Sequence, residues 1–171
     1  MCLTSPKQIK VVKPIKIYKV VMRIPATDAA GNPIDKYVYK TPFYNTYIAN
    51  DIIDGKRPFV ARDPNYVGNR NVIKGGYIHA YRSLKTAVSE YKSYFSTLLI
   101  EYPGAKYQIY QCEIPVSKDD RYCYIGYFDG DRSTTAIAAR QIIFKKEVSE
   151  EQINKKLKFE QCISSRQTNK K

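Results

Sequence analysis

Apolar residues follow two rhythms along this chain. From Leu84 to about residue 100, Leu84, Ala87, Val88, Tyr91, Phe95, Leu98 and Leu99 recur at steps of three and four, which predicts a helix with one buried face. Ser83 stands at its N-cap position, and Pro103 with Gly104 stops it. Elsewhere the period is two. IKIYKVVMRI from Ile15, then Tyr37 to Lys40, Tyr77 to Tyr81, Lys106 to Ile114, Tyr122 to Phe128 and Gln141 to Phe144 read as strands.

Between these elements PATDAAGNP is a turn, with Gly31 and Pro33 as breakers. Residues 50 to 74 mix DGKRPF, RDPNY and GNRN and predict a long excursion with little regular structure. Ser149 with Gln152 three residues on forms a capping box for a short C-terminal helix through about Leu157. The order of sheet, one long helix, then more sheet predicts an α+β fold. In it the helix of about 83–100 packs on one face of an antiparallel or mixed sheet, as strict βαβ alternation is missing. One domain over residues 1–158 and a polar basic tail over 159–171 complete the expectation.

The chain has 171 residues, 43% of them hydrophobic, which is enough to bury a core without a disulfide or metal. No apolar run approaches the length of a membrane span, and the opening MCLTSPKQIKVVKPIK lacks the apolar core of a secretory signal. Four scattered cysteines and one histidine fit no zinc pattern. Cys112 and Cys123 therefore read as small buried apolar residues.

Charge changes the picture most. Lysine and arginine number 29 against 16 acids, a formal net charge of +13, which suits nucleic acid, another polyanion or an acidic protein face. Lys7, Lys10, Lys13, Lys16, Lys19 and Arg23 occur with no intervening acid. Pro14 and the β-branched residues around it oppose a helix, leaving a polyproline arm or, from about Ile15, a strand that alternates its lysines between faces. Lys10, Lys13, Lys16 and Lys19 are candidate binding residues. The tail after Asn154 adds six cations against Glu160. The plain alternative is a solvated surface. Sixteen tyrosines offer stacking platforms for single strands, although cross-strand packing uses the same residues.

The sole histidine lies in GGYIHAYRSLKTA, where alternation puts Tyr77, His79 and Tyr81 on one face and predicts a polar, aromatic patch next to Arg82. His79 as general base with Glu113 as its carboxylate, plus Tyr44, Tyr77 or Tyr81, would make a set similar to that of some ADP-ribosyltransferases. The plainer alternative is a histidine satisfied by a neighbouring carbonyl or hydroxyl. Cys2 would become an N-terminal nucleophile once the initiator methionine is removed, or else a plain surface thiol. FDGDRST resembles a calcium loop, but Arg140 stands where the twelfth-position glutamate belongs. Gly75-Gly76 lacks the sequel of a phosphate loop, so no cofactor is expected.

Met1-Cys2-Leu3, IYKVV at 17–21, TPFY at 41–44, the glycine-histidine stretch, CEIP at 112–115, YIGYFD at 124–129 and AARQIIF at 138–144 together resemble a group of small proteins of gut Bacteroidales phages. Tyrosine and isoleucine precede His79 where that group often has phenylalanine, and SKDD follows the Ile-Pro as an inserted acidic turn. The resemblance implies a viral accessory or virion-associated protein in the host cytoplasm or the virion, partnered by capsid or host protein. It brings no catalytic residues. Three functions are thus expected in order: a basic binding protein, a nucleotide-handling transferase centred on His79, and a purely structural virion subunit.

Overall fold

The computed structural model describes residues 3–42, 46–61, 72–73, 76–98, 104–128 and 131–157. Eleven strands join one sheet: β1 (Leu3–Lys10), β2 (Ile15–Thr27), β3 (Pro33–Lys40), β4 (Tyr47–Ile48), β5 (Phe59–Val60), β6 (Val72–Ile73), β7 (Ile78–Tyr81), β8 (Lys106–Ile114), β9 (Tyr122–Phe128), β10 (Asp131–Ala139) and β11 (Gln141–Glu147). Every pairing is antiparallel. The helices among the described residues are α1 (Asn50–Ile53), α2 (Leu84–Leu98) and α3 over 150–157.

This corrects the expected fold class. The molecule is mostly antiparallel sheet with small helices, not an α+β domain organised by one main helix on a sheet. The sequence pattern undercounted strands for a physical reason. β1, β10 and the first half of β3 carry Pro, Asp, Lys and Ala, residues of weak β preference, and neighbouring strands hold them in place.

The sheet runs β5-β11-β8-β2-β7-β10-β9-β1-β6, with β3 and β4 branching from β2. Arg140 alone separates β10 from β11, yet β7, β2 and β8 lie between them in the sheet. In a flat sheet those four steps would span roughly 19 Å, whereas two virtual bonds reach at most about 7.6 Å. The sheet must therefore curl until its two arms meet.

Curling gives an inner face and an outer face, the outer one buried where the helices cover it. Ile17 and Val21 of β2, Cys112 and Ile114 of β8, Ile137 of β10 and Phe144 of β11 fill the inner face, which Ile48 and Ile53 close from the β4–α1 segment. Their alternates Val20, Met22, Ile109 and Ala136 point outward beneath Ala87 and Val88 of α2 and Ile153 of α3. Ser83 Oγ accepts the Thr86 N–H at 3.1 Å and starts α2. Ser149 and Gln152 cap α3 reciprocally at 3.3 and 3.2 Å, the box the sequence predicts.

The turn predicted at 25–33 is tighter than expected, since Pro25 to Thr27 stay in β2 and Pro33 opens β3. Asp28 Oδ1 accepts the N–H groups of Ala30 and Asn32 at 2.9 and 2.8 Å, and Gly31 takes the positive φ of 87° that closes the hairpin. Among the described residues no helix is long and apolar enough to cross a membrane.

Candidate functional site

His79 and Tyr81 face outward from β7, as alternation requires, but they do not form a surface patch. α2 folds over them, leaving His79 6% and Tyr81 2% exposed. Phe128 lies 6.2 Å from the imidazole and 5.0 Å from the Tyr81 ring, centroid to centroid, so the expected patch is instead part of the outer core. Beside them Tyr77 is half-buried and Arg82 exposed.

Glu113 is not brought to His79. It stands opposite Lys16 across the β2–β8 ladder and pairs with Lys145 at 3.6 Å. The β2–β7 register sets Tyr18 against Tyr81, which puts His79 level with Val20, four residues along β2 from Lys16. Four residues of strand separate the levels by roughly 13 Å, and β2 itself stands between. Cys2 and Tyr44 lie outside the described residues. Cys112 and Cys123 are buried free thiols, as the sequence predicts. Burial pushes Cys123 up to about 11 against the pull of the Arg82 guanidinium, and raises Cys112 further still. Among the described residues no three of His, Cys, Asp or Glu gather as a metal requires.

The lysine run divides. Lys10, Lys13 and Lys16 are exposed, and the Lys16 ammonium sits 5.5 Å from the Tyr18 ring centroid. Lys19 is buried, with 7% of its surface exposed, on the inner face between Ile17 and Val21. β2 leaves β7 after the Tyr18–Tyr81 pair and takes up β3 from Met22. In that fork Lys19 Nζ donates to the His79 carbonyl at 2.6 Å. Desolvation lowers its pKa from 10.5 to about 8, and the nearby Cys112 opposes the shift.

Cations and tyrosines meet at one end of the outer face. Lys10 pairs with Tyr122, Gln8 with Tyr124, Tyr124 with Ala138, and Ala138 with His79. Stepping two residues on from Ala138 and two back from His79 brings Arg140 and Tyr77 to the level of Tyr122 and Lys10. The contacts agree. The Arg140 guanidinium lies 4.3 Å from the Tyr77 ring centroid, and its Nη1 donates to the Gly76 carbonyl at 2.5 Å. Tyr77 meets Tyr124 edge to face at 5.3 Å, and Gln8 Nε2 donates to the Tyr124 hydroxyl at 3.1 Å. Burial and the Tyr124 bond hold the Tyr77 phenol above its ordinary value, against the Arg140 charge.

A hydrogen bond from the Val11 N–H to the Arg121 carbonyl, at 2.8 Å, ties the β1–β2 turn to the β8–β9 loop beside this row. Exposed Lys13, Lys118 and Arg121 thus join Lys10 there, against Asp119 and Asp120. Val12, Val116 and Tyr122, with 74%, 53% and 48% of their surfaces open, lie at the same end. A second basic place is a groove of about 520 Å³ lined by Leu84, Gln152, Lys155 and Lys156, between α2 and α3. Sequence reasoning missed Tyr122, Tyr124 and Arg140 as site residues. The alternation in YCYIGYF put both tyrosines on one strand face, but nothing local brings Arg140 to them. Compared with family models, curated proteins and solved structures, the chain matches none.

Proposed function

We propose that the protein binds polyanions, with nucleic acid as its ligand, through the cationic end formed by the β1–β2 turn and the β8–β9 loop. By its phage resemblance it would act as an accessory or virion-associated protein. The observation that carries this reading is the convergence of Lys10, Lys13, Lys118 and Arg121 across the Val11–Arg121 bond, four cations against Asp119 and Asp120. Both acids donate their backbone N–H groups to Ser117 Oγ at 3.2 Å in a tight turn. The net charge of +13 supplies long-range attraction to the same ligands. No described contact assembles His79 with Glu113, so binding is the function this geometry supports best.

Anisotropy of a fluorescein-labelled oligonucleotide at about 50 and about 200 mM salt tests it. Four neutralised phosphates predict a loss of about 100-fold in affinity between those salts. The triple variant Lys10→Glu, Lys13→Glu, Arg121→Glu should abolish most binding, and Lys36→Glu on the β2–β3 hairpin should leave it nearly intact. Affinity indifferent to salt, or equal losses in both variants, would remove the proposal.

A further inference from the structure

We infer that the row Lys10, Tyr122, Arg140 and Tyr77 is a stacking platform for single-stranded nucleic acid. The inference rests on the polyanion reading and gives its ligand a class. Cations by themselves hold any polyanion, but this end also keeps apolar surface open that a solvated charged face would not need. Tyr122 leaves 48% of its surface exposed, and Val12 and Val116 more than that. Covering them requires a ligand with both negative charge and flat apolar faces. A duplex hides its base faces within the stack and presents phosphate, so it would gain little from Tyr122. A single strand offers both.

Register supplies the geometry. Tyr122 lies between Lys10 on β1 and the level of Arg140 beyond β10, and adjacent strands are about 4.8 Å apart. A strand of nucleic acid crossing the β-strands would lay a base on Tyr122 with cations on either side for its flanking phosphates. Arg140 is already oriented by the Gly76 carbonyl and the Tyr77 ring, and Tyr77 by Tyr124, so the platform is ordered before binding. An acidic peptide would satisfy the cations yet leave Tyr122 without a stacking partner.

The test uses the full chain and three labelled probes of similar length: oligo(dT), a duplex, and a polyglutamate peptide. Oligo(dT) should bind at least about 10-fold tighter than either of the others. Tyr122→Ala should weaken oligo(dT) about 10-fold, the loss of one stacked base, and leave the duplex unchanged, while Tyr122→Phe retains affinity. Ultraviolet cross-linking of oligo(dT) should place the adduct on the peptide containing Tyr122, a readout independent of any variant. If duplex or polyglutamate binds as tightly as oligo(dT), or Tyr122→Ala changes nothing, the platform is refuted while the polyanion reading stands. Absence of binding to all three probes at low salt overturns both.

Discussion

A lysine placed between Ile17 and Val21 on the inner face of a curled sheet loses its hydration, and one short bond to the His79 carbonyl replaces only part of it. Desolvation therefore brings its pKa to about 8 from 10.5. Below pH 8 both folded and unfolded chains hold this proton, so the whole cost of burying the charge is present. Between about pH 8 and 10.5 the unfolded chain holds more protons than the folded one, and the Lys19 contribution to stability rises with pH, by about 3 kcal/mol in total. The buried Cys112, Cys123 and Tyr110 act oppositely at the upper end, because burial raises all three and the folded state keeps their protons longer. Comparison with Lys19→Met cancels those shared effects. Urea unfolding at pH 7 and pH 10.5 should show the stability difference moving by about 3 kcal/mol in favour of the natural chain. A difference that does not change with pH would mean the ammonium is solvated. None of this was legible in the sequence, where Lys19 looks like its neighbours Lys13 and Lys16; burial comes from the fork between β7 and β3.

Elements whose determinants lie within four residues were the ones the sequence specified. The Ser149–Gln152 box needs only its own backbone, and Ser83 with Thr86 likewise. Ser149→Ala should cost about 1 kcal/mol, seen as a lower midpoint in urea, through the looser seating of Ile153 on the outer face. An unchanged midpoint would show that packing of Ile153 alone fixes α3. β10 is the opposite case. Ala136, Ile137, Ala138 and Ala139 are all buried, since β10 runs between β7 and β9 with both faces covered. Small side chains suit that close packing but leave no strand signature, so DRSTTAIAA gave no warning of a central strand. Tyr77, His79 and Tyr81 fall between these cases: alternation put them on one face correctly, and α2 decided that the face would be covered.

At the scale of the whole molecule, stability depends on bringing the two arms of the sheet together at Arg140. Phe144 stands just beyond that bend, fully buried, with Tyr110 edge to face at 5.6 Å and Phe59 at 6.2 Å. Phe144→Ala should cost about 3 to 5 kcal/mol and lower the midpoint of one cooperative transition, because both arms share this inner core. Circular dichroism and tyrosine fluorescence melts that separate would instead indicate arms that unfold independently. The same closure sets the functional geometry, since it carries Arg140 to Tyr77 at the open end of the outer face.

By itself the sequence determined the local structure and the overall charge: the two capped helices, most strands of period two, buried free cysteines and a strong positive excess. These follow from spacing, side-chain shape and composition, which do not depend on what the rest of the chain does. Tertiary structure decided which residues share a surface. Strand order, the curl, the burial of Lys19 and His79, the separation of Glu113 from His79 and the meeting of Lys10, Tyr122, Arg140 and Tyr77 all depend on pairings between residues far apart in sequence. Such pairings are fixed by the collective burial of two sheet faces, which no short window of the chain contains.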